Sequence, residues 1–235
     1  MMNEILKAGS RGPNVKELQR LLNEKMKLSP PLKDDGAFGL KTRSAVERYQ
    51  TDQWLVKDGV VGRCTWNALK DLEKYVIYTP TELVPQWTNT TCWSASTAML
   101  LGMRACMSPG PATADSGLLN DSEKMSPDNT KTYAKYHGLS MSAPQSWTAD
   151  GLARLLGAHK RLMVDALWDV SSYVAGQGSS GHMMVIAGIR GDGTEFGSTV
   201  RIVDPWPVGR GSVYSANYGR LMQRVPGFTY QIFYR

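Results

Sequence analysis

Residues 182–204, HMMVIAGIRGDGTEFGSTVRIVD, contain two apolar, β-branched runs, 183–190 and 198–204, separated by a glycine-rich segment. That pattern predicts an antiparallel hairpin. A turn centred near Gly193 pairs positions whose numbers sum to about 386, which sets His182 opposite Asp204. A carboxylate beside an imidazole fixes the ring tautomer and stabilises the imidazolium, as a catalytic base requires. The plainer alternatives are a satisfied core histidine and an aspartate that caps the turn ahead of Pro205-Trp206-Pro207.

Working outward, 161–168 and 228–234 also have strand character, while 92–107, 130–137 and 149–159 carry helical periodicity. The expected class is α+β. Residues 107–129 are rich in Pro, Ser, Asp and Gly without periodicity, a loop expected to rim a site. Hydrophobic content of 42% and charged content of 20% lie in the globular range and exclude a disordered or collagen-like chain. The longest apolar runs, such as 183–187, are strand-sized, so no membrane span is expected. A net charge of +6 favours polyanionic partners, but the basic residues are scattered, which argues against nucleic acid.

Cys92 separates the polar run Thr88-Asn89-Thr90-Thr91 from the helical segment that begins at Trp93. A thiol at a helix start meets backbone N–H groups and the positive end of the helix dipole, which favour the nucleophilic thiolate. An inert buried cysteine is the alternative. Gln86, six residues earlier, brings an amide that could donate to an oxyanion. The other candidates are weaker. Cys64 falls in an N-terminal repeat, and Cys106 would lie roughly 21 Å from Cys92 on one continuous helix, too far for a disulfide. His137 and His159 end predicted helices and read as caps. No cysteine or histidine spacing suits a metal, and no cofactor is expected.

In the N-terminal third, Asp35-Gly36-Ala37-Phe38-Gly39-Leu40-Lys41-Thr42 is repeated as Asp58-Gly59-Val60-Val61-Gly62-Arg63-Cys64-Thr65, the pattern D-G-x-apolar-G-x-x-T. Each copy predicts a turn whose glycines supply positive φ and whose Thr caps the next helix, 43–50 or 66–74. Val15, Leu18, Leu21 and Leu22 after Pro13 predict an earlier amphipathic helix. Residues 4–72 therefore read as a small three-helix domain, 73–84 as a Pro-containing linker, and 85–235 as a second domain.

The residues GSRGPNVKELQRLLN, DGAFGLKT and DGVVGRCTW resemble the peptidoglycan-binding-domain family found on cell-wall hydrolases. That resemblance attributes ligand contact to the glycine-containing turns and makes Asp35, Phe38, Asp58 and Trp66 candidate wall-binding residues. QWTNTTCWSASTAM, GHMMVIAGI and VDPWPVG resemble the papain-like cysteine proteases of bacteria. This second resemblance implies a compact domain with Cys92 on an N-terminal helix and His182 and Asp204 on an antiparallel sheet. In it Cys92 is the nucleophile, His182 the base, Asp204 the third member and Gln86 the oxyanion donor. The 90-residue interval from Cys92 to His182 is shorter than the roughly 130–150 of lysosomal papains, and Asp stands where they have Asn.

Together these readings predict a cysteine peptidase or amidase that cleaves stem peptides or cross-links of peptidoglycan, anchored by its wall-binding domain. Two rivals stand beside it: a protease acting on a protein substrate in a target cell, and a wall-binding protein without turnover. Peptidoglycan is the expected partner, with a cognate immunity protein and secretion machinery if the protein is an effector. The N-terminus lacks the apolar core of a secretory signal, so the expectation is synthesis in the cytoplasm and action at a cell wall or periplasm after specialised secretion or lysis.

Overall fold

The computed structural model describes residues 4–102, 126–167, 169–177, 179–223 and 229–235. In chain order the elements are α1 (Pro13–Met26), α2 (Leu40–Asp52), α3 (Arg63–Leu69), β1 (Tyr75–Tyr78), α4 (Cys92–Leu101), α5 (Pro127–Tyr136), β2 (Ser140–Met141), α6 (Ala149–His159) and β3 (Leu162–Leu167). There follow α7 (Val170–Val174), β4 (Gly181–Gly191), β5 (Ser198–Asp204), β6 (Ser212–Asn217), α8 (Tyr218–Gln223) and β7 (Tyr230–Tyr234). The strands form one antiparallel sheet in the order β2-β7-β3-β4-β5-β6, with β1 also paired to β4. The class is α+β, as the alternation of patterns predicts.

The chain folds as two compact units. One comprises residues 1–76, 190–200 and 215–221, and the other 77–189, 201–214 and 222–235.

In the first unit α1, α2 and α3 enclose a core that includes Leu18, Leu22, Phe38, Val46, Val61 and Trp66. Pro13 opens α1, where its missing N–H costs nothing. The two repeats are built alike. Gln19 of α1 donates from Nε2 to Asp35 Oδ1, Ala37 O and Thr42 Oγ1, and its Oε1 accepts from the Gly36 N–H. Gln50 of α2 does the same to Asp58, Val60, Thr65 and Gly59. Each glutamine is buried and satisfies a turn that would otherwise bury unpaired backbone groups. The first glycine of each repeat has positive φ, +71° at Gly36 and +69° at Gly59, as expected. The second does not. Gly39 and Gly62 are extended N-cap residues, so Thr42 and Thr65 lie inside their helices as buried partners of the glutamines rather than as caps.

This unit also contains a buried ion pair that the domain pattern did not foreshadow. The Arg190 guanidinium grips Glu73 through two bonds of 2.7 and 2.6 Å, donates to the Gln53 carbonyl and lies over the Trp54 ring. Asp192 accepts from Arg63 at 2.7 Å and Asn67 at 2.9 Å. The segment 73–84, read as a linker, thus supplies a buried carboxylate and the strand β1.

In the second unit α4 is buried on nearly every side. Trp93 and Leu100 pack with Tyr133, Met163, Met183 and Phe233, while Ala95, Ala98 and Met99 pack with Val185, Ala187 and Val203. Its polar side chains need partners at that depth and have them: Ser96 donates to the Met183 carbonyl, and Thr97 pairs with the Tyr133 hydroxyl. α4 ends at Gly102, which takes the left-handed cap conformation at φ +69°. The continuous helix expected through 107 stops there, and Cys106, Trp168, Phe228 and most of the 107–129 loop lie outside the described residues. A Ser126–Asn129 capping box starts α5 at 127, earlier than the periodicity alone suggested.

Candidate active site

Cys92 is the first residue of α4 and is partly buried against the cluster containing Trp93 and Met183. The hydroxyl of Thr91, the N-cap residue, points back into the preceding loop and accepts from the Trp87 and Thr88 N–H groups. No side chain caps α4, so the positive end of the helix at Cys92 is not neutralised by a capping oxygen.

His182 lies near the start of β4, opposite Ala166 of β3. Its Nε2 is 2.7 Å from Asp204 Oδ1 at the end of β5. A carboxylate only accepts, so Nε2 carries the donated proton and Nδ1 is the ring nitrogen available to the thiol. The Cys92 sulfur lies within hydrogen-bonding reach of the ring. Burial opposes charge on His182, but the Asp204 bond and the Cys92 sulfur outweigh it and raise the ring to about 10. Asp204 is itself held. Oδ1 also accepts from the Trp206 N–H at 2.9 Å, and Oδ2 is 3.5 Å from the Tyr214 hydroxyl.

Gln86 is almost wholly buried. Its backbone N–H donates to Pro205 O at 3.1 Å and its carbonyl accepts from the Gly209 N–H at 2.9 Å, which ties it to the loop that follows Asp204. Its Nε2 gives one bond to Thr88 O at 2.7 Å, and an amide nitrogen has a second hydrogen to give.

The structure therefore brings Cys92, His182 and Asp204 into one contact chain and anchors Gln86 to the Asp204 loop. Of the four expected wall-binding residues, Asp35 and Asp58 are exposed and the two aromatics are buried. Phe38 and Trp66 are 3% and 1% exposed, and Trp66 Nε1 donates to the Glu4 carbonyl. Asp35 and Asp58 accept from the N–H groups of Ala37 and Val60 in their own turns and from the two glutamines. The aromatic pair is committed to the core because a three-helix bundle of this size needs large side chains to fill it. Cys64 belongs to the first unit, where it accepts from Asn217, and burial pushes its thiol up. His137 and His159 make ring contacts with tyrosines, Tyr133 for one and Tyr234 for the other. Tyr214 and Thr91 support the site without any sequence signal to announce them.

An imidazole bonded to a carboxylate and facing a thiol at a helix start defines a papain-like cysteine peptidase. Residues 76–221 match the family model of the papain-like cysteine protease AvrRpt2, and the chain belongs to that family. Residues 11–69 match the peptidoglycan binding domain family. Together the two families support a wall-associated peptidase. An uncharacterized protein in the bpoA1 3' region of Kitasatospora aureofaciens is 41% identical over 66 residues, 28% of this chain; the match spans about half, 54%, of that relative's length. Among solved structures, the Burkholderia AP3 phage endolysin is 37% identical over 29% of this chain and 25% of its own, with a TM-score of 0.27. The SleB N-terminal domain is 33% identical over 30% of this chain and 93% of its own, also with a TM-score of 0.27. No helix among the described residues is long and apolar enough to cross a membrane.

Proposed function

We propose that this protein is a cysteine peptidase that cleaves an amide bond in the stem peptide or cross-bridge of peptidoglycan, with residues 4–72 holding it on the wall. The observation that carries this reading is the Cys92–His182–Asp204 contact chain in the same polypeptide as a peptidoglycan-binding sequence. A net charge of +6 adds a general attraction to a polyanionic wall.

In the proposed reaction the Cys92 thiolate attacks the scissile carbonyl carbon, and the Gln86 amide with the Cys92 backbone N–H receives the developing oxyanion. His182 gives its Nδ1 proton to the departing amine as the C–N bond breaks, leaving a thioester on Cys92. His182 then takes a proton from water, the hydroxide opens the thioester, and the acid product leaves with the thiolate restored. Asp204 holds the ring in the tautomer that does both jobs.

Incubation of the protein with purified sacculi, followed by mass spectrometry of released fragments, tests the reading. New peptide termini at one bond, absent with Cys92→Ala, are the expected result. Intact sacculi together with cleavage of a protein substrate would favour the rival in which the wall module serves only retention.

A further inference from the structure

β3, Leu-Met-Val-Asp-Ala-Leu, is buried at all six positions, yet its fourth residue is an acid. Asp165 is 1% exposed, and its Oδ2 has no hydrogen-bond partner among the described residues. No Lys or Arg pairs with it among those residues. A carboxylate buried without a cation is costly, and holding a proton removes most of that cost. The acceptor for that proton faces it across the sheet. Asp165 is the register partner of Gln231 on β7, whose Oε1 is buried and likewise without a partner. Cross-strand neighbours have Cβ atoms about 5 Å apart, so an O–H on Asp165 can reach toward the amide oxygen. Two acceptors facing one another are satisfied when one of them carries a hydrogen.

The same carboxyl lies against the backbone that bears the catalytic base. Asp165 is the register partner of Met183, and its neighbour Ala166 is the partner of His182. A Cβ placed on Gly181 would fall 2.7 Å from Asp165 Oδ1, so the carboxyl occupies the space beside the residue preceding His182. The titratable groups around it are His182 on β4, Tyr173 on α7, and Cys92 and Tyr133 from α4 and α5 in the adjoining cluster. Of these only His182 bears positive charge. Tyr173 is raised chiefly by burial, lowered by its side-chain interactions with Thr130 and Gln231, and raised by the Asp165 charge.

We propose that Asp165 is a positioning residue for His182: protonated, it hydrogen-bonds toward Gln231, and on releasing that proton to solvent it places a buried negative charge behind the imidazolium and keeps the ring charged to higher pH. Burial raises Asp165 and His182 lowers it, to a balance of about 7, so the change falls in the neutral range. The effect on turnover rests on the cysteine-peptidase reading; the effect on the ring does not.

The test is an NMR titration of the His182 ring in the full-length protein, assigned with His137→Gln and His159→Gln variants, compared with Asp165→Asn. The wild-type ring should show a secondary step near pH 7 that Asp165→Asn lacks, and the main ring titration should move down in the variant. The alkaline limb of kcat should move with it while KM stays level. An unchanged ring titration in a folded Asp165→Asn protein overturns the proposal. If that variant does not fold, infrared difference spectra of the wild-type protein decide: a protonated-carboxyl band should disappear as pH rises through about 7, and its absence at lower pH overturns the proposal. Failure to cleave any substrate would remove the peptidase reading and leave the ring titration interpretable.

Discussion

His182 and Asp204 are 22 residues apart in sequence and 2.7 Å apart through Nε2 and Oδ1. The carboxylate takes two further contacts, from the Trp206 N–H and the Tyr214 hydroxyl, so it is positioned before it positions the ring. Asp204→Ala should therefore lower kcat by about 100- to 10,000-fold, because the thiol remains but the tautomer is no longer enforced. Tyr214→Phe removes only the longest of the three contacts and should cost less than about tenfold. Steady-state kinetics on a released wall peptide checks both, and Asp204→Ala at full rate would assign the third position to another residue.

Activity should fall on the alkaline side as His182 loses its proton, at about pH 10. The ring's ordinary value is 6.5 and its folded value is raised, so its contribution to folding is fully present below 6.5 and is lost as pH rises through about 10. Urea denaturation of wild type and His182→Gln across that window should show the stability difference shrinking with rising pH. A difference that grows would reverse the sign of the proposed ion pair.

The hairpin was legible because a period-2 pattern and a glycine-rich turn leave few registers open, and a one-residue slip would turn His182 and Asp204 away from the faces they occupy. The repeats were legible as turns but not in their chemistry. Gln19 and Gln50 lie one helix upstream of the threonines they bind, and no local rule connects a glutamine to a turn 16 or 8 residues away. Phe38 and Trp66 illustrate a different limit, since an aromatic beside a glycine turn reads the same whether it faces a ligand or a core. Asp165 drew no reading from the sequence, because its meaning depends on Gln231 and His182, which only the sheet brings alongside.

Alkylation of the native protein should mark Cys92 and spare Cys64. Cys92 sits beside a charged imidazole at an uncapped helix start, whereas burial raises the Cys64 thiol and outweighs the side-chain interactions with Thr199 and Asn217 that lower it. Peptide mapping after brief iodoacetamide treatment should find the label on Cys92 at least about tenfold ahead of Cys64, with inactivation following the Cys92 label. Inactivation that tracks Cys64 instead would move the nucleophile.

Breaking the Arg190–Glu73 pair should destabilise its unit. Both side chains are nearly inaccessible, at 4% and 8%, and the guanidinium also satisfies the Gln53 carbonyl. Removing one partner leaves the other charge buried, so Arg190→Met or Glu73→Gln alone should cost about 3–5 kcal/mol, and the double replacement less than the sum. It follows that a fragment ending at residue 75 keeps Glu73 without Arg190 and should be less stable than the same residues in the full chain. Denaturant titrations of the three variants check this, and full additivity would mean that the pair does not act as a unit.

Gly181 gives the narrowest test of how β3 aims the base. Its φ is ordinary, so alanine there is not penalised by backbone preference; the penalty is one of space. A Cβ would lie 2.7 Å from Asp165 Oδ1 and 2.8 Å from the Ala166 carbonyl oxygen, both closer than real contacts allow. The Ala166 oxygen belongs to backbone in the strand paired with β4 and cannot swing away as a side chain would. The start of β4 must then shift by several tenths of an ångström, and His182 is the next residue. Because the ring has to meet Asp204 and Cys92 at once, Gly181→Ala should lower kcat by about tenfold or more while wall sedimentation, which depends on the other unit, stays unchanged. Kinetics beside a sacculus pelleting assay separates the two readouts, and a Gly181→Ala protein with full kcat would show that the base tolerates the displacement.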